Sequence, residues 1–403
     1  MVWLPAYRAL AATILLSSRL TLLYAQTPDV PLIDATRQIG PAPLEVSPTP
    51  GSPPANLNFG ATIAVDDRTA LVSMPSYADS IGRVAVFVRN SSGEWVREGT
   101  LNPSDGMAAD FFGLRLAVND DTALVGSSRG VYAFRRSGGN WRQIQKLNAT
   151  QDAPLDGGLA LSDDVAFVGT RVTDRPSEVQ VFDIDKHGAL RRVDTLTSRQ
   201  GIAGDGFGAR LAFADDTLLV GSPGDSAGQG AAYLFKRHGS HWFQRQKLVA
   251  INGKSGEAFG SSVAIADGVI AIGAVFADRE PPIDCAFGYS GAVYVFEPRR
   301  DVWYQQQKLS GPPHCAGDFG AEVGVSRNWL ATVTPSFFPL QFGLTFIYRR
   351  QGHQFAETAY AFGEETSYPS LQLSNSTIFV GFPTDRGFST GYASIYELGA
   401  HAH

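Results

Sequence analysis

Short runs of alternating apolar and polar residues make up most of the chain, and each run ends at a turn signal. In one well-formed stretch, residues 208–213 alternate, an Asp-Asp pair marks a tight turn, and residues 218–221 form a second, fully apolar run. Two further runs follow at residues 231–235 and 242–248, separated by polar turn residues. This pattern predicts four antiparallel strands joined by short turns.

The four-strand unit recurs about every 50 residues, and each copy opens on a Phe-Gly pair or a weakened form of it. The pairs are Phe59-Gly60, Phe112-Gly113, Gly157-Gly158, Phe207-Gly208, Phe259-Gly260, Phe319-Gly320 and Tyr368-Pro369. Repeats of this length cannot bury their faces alone, so they stack on their neighbours. We therefore predict an all-β chain whose residues 59–398 form a seven-bladed β-propeller of four-stranded antiparallel blades.

The seventh unit lacks a fourth strand, because the chain runs into a short tail at residues 399–403. A Pro-rich lead at residues 26–58 precedes the first Phe-Gly pair. Counting back from Phe59 by the spacing found between other units predicts a closing strand near residues 44–46. The alternative is a lead that adds no strand and leaves the seventh blade open, because proline limits strand pairing.

The first 25 residues have the features of an export signal. Arg8 gives a positive start, apolar stretches follow at residues 9–16 and 20–25, and Ala25 offers a small residue for cleavage. Neither stretch reaches the roughly 18 apolar residues of a membrane span. We predict a signal peptide at residues 1–25, a secreted or periplasmic protein, and no stable membrane span. The alternative is an uncleaved start.

The charge balance narrows the range of partners. The formal net charge is -6, charged residues make up 18% of the chain, and no block of Lys and Arg occurs. We therefore expect no nucleic-acid partner. The expected partner is an extracellular or envelope protein or glycan, and the protein itself is expected to be a monomer.

These motifs resemble the FG-GAP repeat family, which forms the propeller of integrin α subunits and occurs in many secreted bacterial proteins. Phe-Gly survives in five of the seven copies, and the second half of the motif survives as Gly221-Ser-Pro223 and Gly381-Phe-Pro383. The resemblance implies a seven-bladed propeller with a role in extracellular recognition. Integrin calcium loops lie between first and second strands, where this chain has only two-residue turns. Such turns hold too few oxygens for Ca²⁺, so we predict no metal and no cofactor.

One other segment is similar to a calcium loop. Asp183 and Asp185 take the first and third positions, Gly188 the sixth and Asp194 the twelfth, but His187 stands where a ligand is needed. The segment also falls between a third and a fourth strand. We therefore interpret it as a polar hairpin turn.

The predicted topology places the loops after second strands and the loops before Phe-Gly pairs on one face, which we call the upper face. Loops on a rigid scaffold carry function, so binding is expected here. The longest insertion spans residues 276–290, and an ordinary surface loop is the alternative to a contact surface there. Cys285 and Cys315 both fall on upper loops and are disulfide candidates in an oxidising compartment, two separate thiols being the alternative. Candidate ligand-binding residues are Asp278, Arg279, Glu280, Asp284, Tyr289 and His314.

Acidic residues recur just before the Phe-Gly positions. They are Asp110, Asp156, Asp205, Glu257 and Asp318. A ring of carboxylates suits a cation or a sugar, or an acid–base pair for glycoside cleavage. Repetition argues against catalysis, and we expect each acid to accept backbone N–H bonds and fix its own loop.

The sequence thus predicts a non-catalytic recognition scaffold. The tryptophans repeat at one strand position, which favours packing between blades over sugar stacking. No nucleophile elbow, phosphate loop or metal-spaced His/Cys cluster occurs in the sequence. Three alternatives remain: a lectin with repeated inter-blade sugar sites, a polysaccharide-acting enzyme with acids at the central mouth, and a structural module of an envelope complex.

Overall fold

The computed structural model describes residues 33, 37–39, 57–150, 154–172, 174–239, 241–278, 290–311, 316–337, 342–362, 369–383 and 391–398. Within them, seven antiparallel sheets form a ring, and the first strand of each sheet contacts the first strand of the next all the way round. The protein is therefore a seven-bladed β-propeller, as predicted. No helix in the described ranges is long and apolar enough to cross a bilayer.

In blades one to five the four strands follow one order, from the central channel outwards. Blade one comprises β2 (Ile63–Val65), β3 (Thr69–Met74), β4 (Arg83–Arg89) and β5 (Trp95–Leu101). Blade two comprises β6 (Arg115–Asn119), β7 (Thr122–Ser127), β8 (Gly130–Ser137) and β9 (Asn140–Asn148). Blade three comprises β10 (Leu159–Leu161), β11 (Val165–Gly169), β12 (Val179–Ile184) and β13 (Leu190–Leu196). Blades four and five comprise β14 (Arg210–Ala214), β15 (Thr217–Ser222), β16 (Ala231–His238) and β17 (His241–Leu248); and β18 (Phe259–Ala266), β19 (Val269–Ala274), β20 (Ala292–Arg299) and β21 (Val302–Ser310).

Blades six and seven depart slightly from this order. In blade six, two short inner segments, β22 (Ala316–Gly317) and β23 (Val323–Val325), both pair with β24 (Trp329–Phe337), followed by β25 (Phe342–Gln351) and β26 (Gln354–Phe362). Blade seven comprises β27 (Ser370–Ser374), β28 (Thr377–Phe382), β29 (Tyr392–Glu397) and β1 (Arg37–Ile39). Two four-residue turns, α1 (Tyr77–Ser80) and α2 (Asp225–Gly228), lie on upper loops of blades one and four, and the two central residues of each have left-handed backbone angles.

The strand β1 closes the ring. It pairs antiparallel with β29, with Gln38 opposite Ser394, and takes the place of the missing fourth strand of blade seven. Closure by an N-terminal strand is confirmed, but the predicted place near residues 44–46 is corrected to Arg37–Ile39. The count used the connection length found inside the ring, whereas the connection from β1 to Phe59 is longer; residues 44–46 lie outside the described residues, as do the predicted signal peptide and the tail.

The phenylalanines of the Phe-Gly pairs fill the spaces between blades. Phe112 packs edge-on against Tyr132 and Phe134, with ring centroids 5.3 and 5.9 Å apart, in a cluster that also holds residues of blade one. Such T-shaped contacts add to the free energy gained by burying the ring. We call the phenylalanine of each Phe-Gly pair the wedge. It is fully buried in five blades, at Phe59, Phe112, Phe207, Phe259 and Phe319.

The glycines of the motif allow backbones of neighbouring blades to touch. Gly260 has φ +94, and its carbonyl oxygen lies 2.3 Å from where a Cβ of Gly221 would stand. At the same junction Gly230, at φ +83, forms a parallel bridge with Phe259, whose carbonyl lies 2.1 Å from the Cβ position of Gly230. A side chain at either place has no room, because the obstacle is main chain.

Blade three is out of register with the predicted motif. Leu159 pairs with Val168 as Leu211 pairs with Val220, so the residue equivalent to Phe207 is Leu155. Leu155 is buried in the cluster between blades two and three. Gly157 nevertheless donates its backbone N–H to the carbonyl of Gly169 at 3.1 Å, as Gly208 does to that of Gly221 at 3.0 Å. The predicted pair Gly157-Gly158 therefore supplies the glycine of the motif at Gly157, but the buried wedge is Leu155, two residues before the predicted position.

Candidate functional site

The predicted ligand loop lies mostly outside the described residues. Arg279, Glu280, Asp284, Tyr289 and His314 are among the undescribed positions, as are Cys285 and Cys315, so this site and the disulfide stay predictions. Asp278 is described. Its carboxylate pairs with Lys254 at 2.6 Å, and its backbone carbonyl accepts a bond from Lys308 at 3.1 Å. Asp278 thus ties two upper loops of blade five to its outer strand.

Two of the five recurrent acids fix their own loops, as predicted. Asp110 is buried and accepts the backbone N–H of Met107 at 2.8 Å. Asp205 is buried and accepts the N–H groups of Ile202 and Phe207 at 3.2 and 3.0 Å. These bonds hold the loops of blades two and four in place just before the wedge phenylalanine.

The other three acids do not follow that expectation. Asp156 forms an ion pair with Arg171 at 2.8 Å. Glu257 and Asp318 each keep a carboxylate oxygen that has no partner in the described part of the chain. Burial raises the pKa of Asp318. Of the five acids only Asp318 lines the central cavity, so they form no ring around its mouth.

The segment similar to a calcium loop is a hairpin turn, as interpreted. Asp185 accepts the backbone N–H groups of His187 and Ala189 at 2.8 and 2.9 Å. These bonds lower the pKa of Asp185. In the residues that the structure describes, no group of three or more His, Cys, Asp or Glu side chains is placed to hold a metal ion.

The predicted packing role of the tryptophans is confirmed. Trp95 is buried edge-on against Phe379 of blade seven, with ring centroids 5.0 Å apart. Trp242 is buried in the same manner against Phe167 of blade three, at 4.9 Å. Both rings therefore join neighbouring blades.

A Tyr–Lys–Asp network that sequence reasoning missed anchors upper loops. In blade four, Tyr233 on the third strand lies opposite Lys247 on the fourth, and both bond to the carboxylate of Asp225 in α2, Lys247 at 2.7 Å. Burial raises the pKa of Asp225, but the bonds from Lys247, Ser226 and Tyr233 outweigh it and leave the pKa below its ordinary value. The charge therefore persists in a buried site and holds the loop to the blade.

Blade two carries the same network in a more exposed setting. Tyr132 donates to Asp105 at 2.9 Å and Lys146 bonds to it at 2.6 Å, but the Asp105 side chain is 48% exposed. The sequence signal was the Lys of the repeated Gln-Lys-Leu, which lies opposite a repeated Tyr. The Asp comes from loops of different length, so its position does not repeat.

Large apolar side chains are exposed on the upper loops of blades two, four and five. They precede a Phe-Gly pair or follow a second strand, and none belongs to the clusters between blades. We call this set the upper apolar surface. It comprises Met107, Phe111, Ile202, Ile251 and Phe276, which are 37–62% exposed.

The central channel contains a cavity of about 540 Å³. Residues from the first strands of all seven blades line it, and Phe276 and Asp318 place it towards the upper face. Arg115, Arg210 and Glu322 share one register position, three residues after the wedge phenylalanine, in blades two, four and six. Arg210 and Glu322 form an ion pair at 3.3 Å.

Arg115 has no carboxylate partner in the described residues. Its Nη1 donates to the carbonyl of Leu114 at 2.8 Å, and its Nε is buried without a partner. Burial and the positive charge of Arg210 lower the pKa of Arg115, while the negative charges of Glu322 and Asp156 oppose this. An arginine stays charged in proteins, and the cavity wall that holds Arg115 and Arg210 also holds the carboxylates of Asp318 and Glu322.

Comparison with protein families supports the repeat assignment. A family model described as FG-GAP repeat matches residues 95–138, 191–235 and 242–296. Each match begins in a fourth strand and ends in or just after the third strand of the following blade, so each spans one Phe-Gly pair. No curated protein matches the chain.

Proposed function

Because the chain belongs to the FG-GAP repeat proteins, we propose that it is an exported, non-catalytic scaffold that recognises an extracellular or envelope protein through its upper face. The upper apolar surface carries this proposal. Exposed large apolar side chains gain free energy when a partner removes them from water. Aromatic residues and Met are also enriched in protein interfaces over the rest of a protein surface.

Two of the loops that present this surface are fixed by bonds from a side chain to their own backbone. Asp205 fixes the loop that bears Ile202 through backbone bonds, and Asp110 does the same for the loop that bears Met107. Loops that are ordered before binding lose less conformational entropy on association. Apolar side chains on loops that are fixed in this way therefore suit recognition of one partner surface.

Substitution on the upper apolar surface tests the proposal. Ile202→Asp and Ile251→Asp place charge at two sites that are 55% and 62% exposed, so folding should be unaffected. Val302→Asp is the matched control, because Val302 is 44% exposed at a hairpin turn on the opposite face. The measurement is quantitative capture of envelope proteins by immobilised residues 26–403.

The expected result is a specific partner that the double variant loses and the Val302→Asp variant keeps. Capture that survives the double variant would contradict recognition through this surface. A parallel glycan array distinguishes the partner class: a specific glycan hit that the double variant retains would replace protein recognition with a lectin role. Turnover of any polysaccharide would overturn the non-catalytic part.

A further inference from the structure

We propose that part of the N-terminal lead is a strap across the junction between blades six and seven, and that the ring opens at this junction when the strap is released. The strap comprises Ile33 and β1, which are bonded to different blades. The backbone N–H of Ile33 donates to the carbonyl of Tyr360 on β26 of blade six at 3.0 Å. The strand β1 pairs with β29 of blade seven. This inference is independent of the upper-face partner, because it rests on contacts between blades.

Three kinds of link recur between neighbouring blades. The first is a parallel bridge between a glycine and a wedge phenylalanine, at the junctions of blades seven and one, one and two, four and five, and five and six. The second is a glutamine on a fourth strand, whose side-chain amide bonds to both the N–H and the carbonyl of one residue in the next blade. These pairs are Gln145 with Leu190, Gln246 with Trp303, and Gln307 with Phe355, at 2.8–3.1 Å.

The third kind of link is an ion pair between an arginine near the end of a third strand and an acid of the preceding blade. The pairs are Arg89 with Glu397, Arg136 with Glu98, Arg237 with Asp164, and Arg350 with Glu297. Each of the other six junctions therefore has at least one of the three links. The junction between blades five and six has all three.

The junction between blades six and seven lacks the residues for two of these links. Ala359 stands opposite Ile347 on β26, at the position of the glutamine. Leu398 makes the same backbone bond in blade seven as Arg350 makes in blade six, so it takes the position of the arginine. Within the described ranges no Gly-Phe bridge joins these two blades. They pack through an apolar cluster, against which Ile33 also packs, and regions with few stabilising contacts open first.

The central cavity borders on this junction. Glu322 and Val323 of blade six and Leu371 and Gln372 of blade seven line it. Separation of these two blades would therefore enlarge the cavity and open it from the side.

Thiol labelling under native conditions measures opening at a single junction. Ala271 and Ala331 occupy the same register position on the second strands of blades five and six, and both are fully buried. Ala271 packs in the cluster between blades five and six, and Ala331 in the cluster between blades six and seven. Ala271→Cys is therefore the matched control for Ala331→Cys. Both are made in residues 26–403, and peptide mass spectrometry separates their labelling from that of the native cysteines.

Each labelling rate is divided by the rate of the same thiol in guanidinium. We expect the Ala331→Cys thiol to react at least about tenfold faster than the Ala271→Cys thiol, because local opening exposes it more often. Ile33→Pro removes the N–H that bonds to Tyr360, so it should speed labelling of Ala331→Cys about fivefold further and leave Ala271→Cys unchanged. Ile33→Val keeps this N–H and most of the side chain, and should leave both rates unchanged.

Equal rates for the two thiols in the chain with Ile33 would overturn the proposal. So would an Ile33→Pro variant that changes neither rate, or one that raises both rates equally, because the lead would then not act on this junction. The thermal unfolding midpoint of each variant is measured first. If Ile33→Pro unfolds early, the comparison of Ala331→Cys with Ala271→Cys in the otherwise unaltered chain decides.

Discussion

Blade four and blade three perform the same structural task with different residues. In blade four the wedge is Phe207, the third and fourth strands face each other with Tyr233 and Lys247, and a Gly-Phe bridge joins the blade to blade five. In blade three the wedge is Leu155, and the facing pair is Gln180 with Thr195. In the described ranges neither junction of blade three has a Gly-Phe bridge.

The comparison distinguishes the residues that a blade requires to form its four strands from the contacts that the Phe-Gly motif adds. Blade three still forms four paired strands and a buried cluster with Leu155, so backbone pairing and apolar volume suffice for a blade. The additional groups in blade four serve the upper loops and the junction. The FG-GAP matches agree, because they cover the junction into blade four and leave out residues 139–190.

The wedge position should show the largest difference. Phe207→Ala removes a fully buried ring that contacts Tyr233 and Phe235, so the free energy of unfolding should fall by about 3–5 kcal/mol. Leu155→Ala removes a smaller side chain and should cost about 2–3 kcal/mol. Guanidinium unfolding of both variants gives the comparison, and equal losses would show that the aromatic wedge adds nothing beyond volume.

Glu357 is partly buried, and its Oε1 has no partner among the described residues, so it should respond to pH in the opposite sense to a partnered acid. Burial raises the pKa of Glu357 on β26 from 4.5 to about 7. Because the folded state binds the proton more tightly, the free energy of unfolding falls as pH rises from about 4.5 to about 7, by up to about 3 kcal/mol. Glu357→Gln should remove this loss and unfold at a higher temperature than the wild type at pH 8. If the difference in unfolding temperature between the wild type and Glu357→Gln is the same at pH 5 and at pH 8, the expectation is contradicted.

The Tyr–Lys–Asp network should contribute according to its burial. Asp225→Asn leaves Lys247 without its carboxylate at a site where Asp225 is 7% exposed, so we expect a loss of about 2–3 kcal/mol at pH 7. Asp105→Asn in the exposed network of blade two should cost less than about 1 kcal/mol. Because the pKa of Asp225 is lowered, its contribution is present above the ordinary Asp pKa and is lost as pH falls through the lower, folded value.

Thermal unfolding at pH 7 and at pH 3 tests both parts of that prediction. The difference between wild type and Asp225→Asn should shrink at the lower pH. A constant difference, or an equal loss from Asp105→Asn, would show that burial does not govern these networks.

The smallest expected effect concerns the bridge glycine. Gly230→Ala adds a Cβ only 2.1 Å from the carbonyl oxygen of Phe259, so the junction must shift at a cost of about 2 kcal/mol. Gly239→Ala has a similar positive φ of +62 but open space around the Cβ, and should cost about 1 kcal/mol. Differential scanning calorimetry of the pair isolates the contact between blades from backbone strain.

The repeat made the fold predictable. Phe-Gly pairs, two-residue turns and apolar runs recur at a fixed spacing, so each copy supports the others. Where the Phe-Gly signal was weak, the predicted position of the wedge was wrong. Gly157-Gly158 resembles the motif in letters, but only the pairing of Leu159 with Val168 reveals that Leu155 is the wedge. The closing strand was misplaced for a related reason, since its connection to Phe59 does not repeat.

The channel site was beyond sequence reasoning because its residues come together only in the closed ring. Arg210 and Glu322 are 112 residues apart and meet across the channel. Their register position carries Thr62 in blade one and Arg115 in blade two, so no repeating letter marks it. The acids before the Phe-Gly pairs did repeat, yet Asp110 and Asp205 serve their own loops.

The pairing of β1 with β29 can form only late in the synthesis of the chain. Translation produces Arg37–Ile39 first, yet these residues acquire their strand partner only after Tyr392–Glu397 has been made. Of all strand pairings in the ring, this one joins the most distant parts of the chain and carries the largest loop-closure entropy. A chain that ends before Tyr392 would carry a two-stranded last blade and would leave β1 without its partner strand. The ring can therefore close only after β29 has been synthesised.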